Sequence, residues 1–333
     1  INGGKMRDLD TASRVVFFVP VLLLLLKYPI KTCVLSYSIP LGSIISLCVA
    51  LYDKFILNLR PEQNPRIMHI QGGDISMSLG IFSLIIALYA HQKKDIKLTT
   101  LSVIGGLCGI VGSLLSTARG GWVAFPVLLI VILYIYRHSL SKRFFLTFFG
   151  IIMVTSIGIS QMPNNRIMER INVAQKDIQL YLDKNNGNTS LGARFEMWKS
   201  ALEMAKEKPL FGWGIQGATE KRKQETKEKI VTGNIGKFTH AHNQYLDDLS
   251  KRGIVGLLAL LAVLFIPLRA FMKKLSTTND EVNLIATLGV AHILSVMIYG
   301  LSQGFLVHNS GTIFYFFLTI VFYAAIRTHQ KAE

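Results

Sequence analysis

Long apolar runs separated by short basic connections dominate this sequence, as in Val15 to Leu26 and Gly253 to Ala270. A bilayer-crossing helix needs about 20 predominantly apolar residues. Runs broken by charge or by Gly/Pro clusters give nine candidate spans, at 14–27, 32–52, 75–91, 97–116, 119–136, 143–161, 253–272, 283–302 and 311–327. Within hydrocarbon a backbone must satisfy its own polar groups, so these segments are expected to be helices. The expected fold class is an all-α integral membrane protein, a polytopic helical bundle. Half of the 333 residues are apolar and 17% are charged, whereas soluble domains carry about a quarter charged residues. A soluble globular protein is thereby excluded.

The spans divide the chain into three parts: residues 1–161 with six transmembrane helices, a polar segment at 162–252, and residues 253–333 with three more helices and a cytoplasmic tail. The polar segment, at 91 residues, is far longer than an ordinary connection and is expected to carry function. Basic residues are retained in the cytoplasm during insertion. One set of short loops and flanks holds thirteen of them, including Lys93, Lys94, Lys97, Arg269, Lys273, Lys274 and Arg327, and the other set holds seven. This asymmetry places the long segment outside, in a bacterium the periplasm beyond the inner membrane. No ATP is present there, so a reaction must use a donor that arrives activated. The net charge of +16 is partly the same topological bias, which makes nucleic acid a remote partner. Cys33, Cys48 and Cys108 lie in apolar segments without ligand-like spacing, so neither a disulfide framework nor a cysteine-based zinc site is expected. The chain opens with Ile1 on a polar stretch, and further spans upstream are expected.

Within the long segment, Leu191 to Lys206 reads as an amphipathic helix, with Phe195, Trp198, Leu202 and Ala205 at spacings of three and four. Lys208-Pro209 ends it, and a Gly212-Trp213-Gly214 turn follows. The charged run Glu220 to Lys229 reads as a solvated helix face without catalytic weight. His242 to Leu249 leads directly into the seventh span, which would hold polar groups where a lipid-linked substrate presents its headgroup.

Three residues stand out chemically. Arg119 begins the fifth span, followed by Gly120-Gly121-Trp122. Its planar guanidinium suits a pyrophosphate at a headgroup, and the glycines would let a ligand approach, but an arginine snorkelling beside an interfacial tryptophan fits as well. Arg194 lies one residue before the apolar stripe of the amphipathic helix. It could point along the membrane surface to the same place, or be a solvated helix residue. His242, flanked by His240 and Asn243, can take a proton near neutral pH, as activation of a sugar hydroxyl requires; a hydrogen-bonded loop histidine is the plainer alternative. The His-x-His spacing is poor for a metal on one helix face, and no metal is expected. Asp247 and Asp248 could supply a carboxylate or cap the segment, and Gly253 with Gly256 could permit close helix packing. Walker, dinucleotide and nucleophile-elbow patterns are absent, so no cofactor is expected.

His242-Asn243, nine residues, then Gly253-Ile254-Val255-Gly256 resembles the periplasmic signature of the O-antigen ligases of lipopolysaccharide assembly. Arg119 before two glycines, and Leu191-Gly192-Ala193-Arg194 followed by Trp198 and the Gly212–Gly214 turn, are similar to that family's arginine-bearing segments. The resemblance extends over essentially the whole chain. It implies a GT-C-like bundle of about twelve spans, about three of them upstream of this sequence. It also implies transfer of a polysaccharide from undecaprenyl diphosphate to a sugar hydroxyl of the lipid A core, with inversion and without metal or nucleotide. His242 would be the general base, and Arg119 and Arg194 would hold the donor diphosphate. Asn243, Gly253 and Gly256 would complete the substrate-binding set. The expected partners are the lipid-linked donor, the lipid A core acceptor and membrane lipids. An O-antigen polymerase of the same superfamily is the nearest alternative. A lipid-linked glycan transporter is a third, disfavoured because the suspect charges gather at one face rather than at mid-membrane. Arg60, Arg66 and His308 lie on the same outer side.

Overall fold

The computed structural model describes residues 9–59, 61, 68–137, 140–141, 166–275 and 277–331. Among the described residues the secondary structure is entirely helical. The helices are α1 (Leu9–Lys27), α2 (Thr32–Phe55), α3 (His69–Gln92), α4 (Ile96–Ser116), α5 (Arg119–Ile135), α6 (Arg166–Lys184), α7 (Ser190–Glu207), α8 (Gly214–Lys227), α9 (Gln244–Met272), α10 (Asp280–Ser302) and α11 (Asn309–Lys331). Short 3-10 turns lie at Ile235–Lys237 and Phe305–Val307. Six of these helices, α2, α3, α4, α9, α10 and α11, are long and apolar enough to cross a membrane, and Gly120–Ile135 is a shorter apolar helix. The protein is a polytopic helical membrane protein. The sixth expected span, 143–161, lies outside the described residues, as do Arg60 and Arg66.

The chain divides into two compact units: a membrane unit, Lys5–Ile135 with Leu258–Glu333, and a polar unit, Tyr136–Leu257 with Ile1–Gly4. In the membrane unit α3 packs against α2, α4, α5 and α10, and α11 packs against α1 and α10. Met77, Ile81, Phe82, Ile85 and Ile86 of α3 meet a core that includes Leu288, Ile293 and Val296 of α10. Outer helices turn large apolar side chains outward instead, such as Ile45, Ile130 and Ile266, which suits a lipid surround. Small residues bring α3 and α4 together: a Cβ on Gly109 would stand 2.5 Å from the Gly80 α-carbon. One end of this unit is marked by the ion pair Lys93–Asp280 at 2.5 Å, between the end of α3 and the start of α10. The other is marked by the Gln303 amide reaching the Met68 sulfur at 3.8 Å.

Most helix edges lie within a few residues of those expected from hydropathy, but α3 starts at His69 rather than 75. Its first turns carry Gln71 and Asp74, whose polarity excludes them from an apolar window, yet both are fully buried. Segment 253–272 likewise belongs to a longer helix that begins at Gln244 and breaks at Gly253.

In the polar unit, the helix expected at Leu191–Lys206 is α7, capped by Thr189, whose Oγ1 accepts from the Gly192 amide at 3.0 Å. A small core forms from Met197, Val231 and Ile235, packed by Ala193 and Phe238. The charged run 220–229, expected to be solvated, has one dry side: Arg222 is 0% and Glu225 3% exposed. Tertiary partners explain this, since Arg222 Nη1 donates to the Phe238 carbonyl at 3.0 Å and the Ser200 hydroxyl donates to Glu225 at 2.5 Å.

Candidate active site

The segment Phe238–His242 has no regular secondary structure, so its backbone groups need partners from elsewhere. Four side chains supply them. Arg222 donates to the Phe238 carbonyl at 3.0 Å and Lys251 Nζ to the Thr239 carbonyl at 2.9 Å. The Asp247 carboxylate accepts from the Ala241 amide at 2.9 Å, and Trp198 Nε1 donates to the Ala241 carbonyl at 3.1 Å. Lys251 and Asp247 also pair at 2.7 Å and are 5% and 1% exposed, so the charges that pin the loop neutralise each other. Asp247, which the sequence left as either carboxylate or cap, thus holds the loop.

Asn243 begins α9. Its Oδ1 accepts from the amides of Tyr245 at 3.0 Å and Leu246 at 3.1 Å, the geometry of a helix N-cap. His242 immediately before it sits at φ 48°, in the left-handed region that non-glycine residues seldom occupy. Its ring lies 4.2 Å from that of His240 and 5.6 Å, nearly perpendicular, from Phe238, centroid to centroid.

Arg194 and His242 line one cavity of about 260 Å³. Lys237 and the N-terminal turn of α7, Thr189 and Ser190, line it too, and no carboxylate does. The first amides of α7 are already taken, Leu191 by the Asp177 carboxylate at 3.3 Å and Gly192 by Thr189 Oγ1 at 3.0 Å, so the cavity's ligand-binding character rests on the two cations, with an imidazole beside them. Lys237 was not singled out from the sequence, where nothing marks it. Arg222 was missed because its run was read as solvated. Burial pulls the Arg222 guanidinium down, opposed by Asp247 and Glu225, and pushes the Glu225 carboxyl up, opposed by Ser200, Lys221 and Arg222. The Tyr181 hydroxyl, half-buried and donating to Glu196 at 2.6 Å, is pushed up to about 12 by its partial burial and by Glu196.

Gly253 has φ 65° and ψ −165°, a conformation reserved for glycine. A Cβ there would stand 2.3 Å from the Leu210 carbonyl, and one on Gly212, at φ 66°, would stand 2.5 Å from the Lys251 carbonyl carbon. Across this contact Ile254 donates to Pro209 at 2.8 Å, Val255 to Leu210 at 3.3 Å and Trp213 to Ser250 at 3.0 Å, all between backbone groups. The 208–213 turn and the α9 break form a clasp. Gly256 faces the Arg252 side chain, which pairs with Asp248. The chain's own atoms occupy the space over both glycines.

In the membrane unit, Arg119 is the first residue of α5. Thr117, left-handed at φ 61°, closes α4 and makes the turn between them tight. A Cβ on Gly120 would stand 2.9 Å from Asp74 Oδ1, and one on Gly121 2.8 Å from Ser113 Oγ. These glycines admit α3 and α4, whereas the sequence reading gave their space to a ligand. Asp74 is buried in a span, with its carboxyl group facing the first turn of α5. Such an intramembrane acid is a functional signal that an apolar window discards. His308 Nε2 lies 3.3 Å from Gln303 Nε2. Among the described residues no group of three or more His, Cys, Asp or Glu is placed to hold a metal ion.

Residues 104–261 match the family model described as O-antigen ligase. An uncharacterized protein of Haemophilus influenzae is 42% identical over 322 residues, covering 97% of this chain and 80% of the relative. The chain belongs to the O-antigen ligase/polymerase superfamily. A second relative, the exopolysaccharide production protein ExoQ of Rhizobium meliloti, is 27% identical over 124 residues, 36% of this chain and 28% of that protein. The superfamily match runs from α4 through the polar unit into α9, and so takes in Arg119, Arg194 and the His242 to Gly256 signature.

Proposed function

We propose that this superfamily member is an O-antigen ligase of the bacterial inner membrane, with its polar unit in the periplasm. It transfers polysaccharide from undecaprenyl diphosphate to a sugar hydroxyl of the lipid A core. The observation that carries the reading is the cavity where Arg194, Lys237 and the start of α7 surround an anion-sized space beside His242, with no carboxylate in the lining. As the glycosidic bond breaks, the diphosphate gains negative charge, which fixed guanidinium and ammonium groups stabilise without reorganising. We also assign Arg119, at the start of α5, to donor binding. His242 takes the proton of the acceptor hydroxyl, which attacks the anomeric carbon opposite the diphosphate and inverts it in one displacement. Asn243, Gly253 and Gly256 act through the helix cap and clasp that carry His242. The reaction runs without metal or nucleotide.

Reconstitution of the purified protein with a lipid-linked glycan and a lipid A core acceptor, with chelator present, tests this. Wild type is expected to yield lipid A core carrying the glycan, and His242→Ala is expected to yield none while remaining folded. Transfer by His242→Ala at the wild-type rate would remove the base. Restoration of a chelated enzyme by one divalent ion would remove the metal-free mechanism. The similarity to ExoQ, whose name attaches it to exopolysaccharide production, favours a polymerase as the second reading. Lengthening of the donor glycan with no lipid A product would establish that instead.

A further inference from the structure

At the end of the membrane unit where basic residues gather, Arg269, Lys273 and Lys274 close α9 and Arg327 lies near the end of α11. All four line a single cavity of about 440 Å³, together with Ile266, Phe271 and Tyr323, and no carboxylate lines it. Among the described residues none of the four enters an ion pair, whereas Lys93 at the same end is paired with Asp280. Topological bias explains why basic residues are at this end, because it requires only that they be present in the flanks. It does not explain their convergence from two helices on one space. Unneutralised cations gathered in one cavity repel one another, and an anion shared between them removes that repulsion.

The cavity walls identify the anion further. Ile266 is 69% exposed, Met272 54% and Phe265 49%, so the α9 surface beside the cations is apolar and open, and Tyr323 is an amphipathic ring of the kind found at headgroup level. A soluble anion would have no use for that surface. We propose that this cavity is a binding site for an anionic glycerophospholipid: its phosphate lies among Arg269, Lys273, Lys274 and Arg327, and its acyl chains lie along α9. Basic pockets between transmembrane helices hold such headgroups by the same charge complementarity. The lipid would join the ends of α9 and α11, which are already tied further along by the Tyr315 hydroxyl donating to the Val263 carbonyl at 2.7 Å.

The test uses the full chain, delipidated in detergent, titrated with phosphatidylglycerol or phosphatidylcholine and read by native mass spectrometry. Phosphatidylglycerol is expected to be retained at least tenfold more tightly, and Arg269→Gln/Arg327→Gln should abolish that preference. Lys31→Gln/Lys97→Gln, which removes equal charge from other flanks, should keep it. Equal retention by the two variants would overturn the site. Displacement of phosphatidylglycerol by millimolar inorganic phosphate would assign the cavity to a free anion and overturn the lipid. Wild-type protein cross-linked to a photoactivatable phosphatidylglycerol gives a reading independent of how any variant folds. Labels within 266–274 and 323–327 support the proposal, and labels confined elsewhere overturn it.

Discussion

Replacing Gly253 by alanine should unlock the polar unit. At φ 65° and ψ −165° any side chain is strained, by about 1–3 kcal/mol for such a region. The new Cβ would also stand 2.3 Å from the Leu210 carbonyl carbon and oxygen. Backbone cannot swing aside as a side-chain tip does, so the 208–213 turn must lift. The hydrogen bonds from Ile254 to Pro209, at 2.8 Å, and from Val255 to Leu210, at 3.3 Å, then go, at about 0.5–1.5 kcal/mol each. Together these give about 2–6 kcal/mol, and at roughly 2–4 °C per kcal/mol for a domain of this class the midpoint should fall on the order of 10 °C. Trp198 and Trp213 lie in the affected unit, so intrinsic fluorescence during heating follows the transition directly. Gly212→Ala should behave alike, and the double variant should lose little more than either single, because both break one clasp. Gly217→Ala is the control: its Cβ would meet nothing nearer than the Trp213 Cβ at 3.6 Å, and alanine inside a helix should stabilise by about 0.5–1 kcal/mol. A Gly253→Ala midpoint within 2 °C or so of wild type would refute the clasp.

Lys251→Met leaves Asp247 buried without its partner and the Thr239 carbonyl without its donor, so a loss of about 3–5 kcal/mol in thermal unfolding is expected, while Asp247→Asn/Lys251→Met should recover part of it. Arg194→Lys keeps the charge and loses the fork; kcat/KM for the lipid-linked donor should fall roughly 10–100-fold with stability unchanged, and equal loss towards the acceptor would place Arg194 elsewhere. Glu225 has its carboxyl raised by burial, so the unfolded chain gives up this proton at lower pH than the folded one and wild-type stability falls as pH rises through and above the usual carboxylate range. Glu225→Gln should flatten that slope in midpoint-against-pH curves, and an unchanged slope would count against it.

Hydropathy and periodicity brought α4, α7 and α10 within a few residues of their observed ends, because each is a continuous pattern bounded by a cap: Asp95, Thr189 and Asn279 accept amides at the three starts. The superfamily was legible for the same local reason, since its signature from His242 to Gly256 is contiguous. What escaped depends on partners distant in sequence. Gln71 and Asp74 extend α3 because neighbouring helices bury them, and an apolar window cannot foresee that. Arg222 and Glu225 lie in a run whose composition is indistinguishable from a solvated face until Phe238 and Ser200 are brought to it. Lys237 joins Arg194 and His242 only through the fold of the 187–242 region around the start of α7.

The buried polar groups of the polar unit share one destination. Arg222, Lys251, Asp247 and Trp198 could each have been satisfied by one another or by water, yet all four end on the backbone of Phe238–His242. Replacing a buried ion pair with apolar residues is often neutral or stabilising, so stability alone is a weak reason to retain Lys251 and Asp247 there. Held at Phe238, Thr239 and Ala241 and followed by the Asn243 cap, the loop leaves His242 little freedom, and its left-handed backbone is the strain that this framework sustains. A base fixed before its substrates arrive avoids an ordering penalty during the reaction, and that pre-organisation is what the proposed ligase mechanism asks of His242.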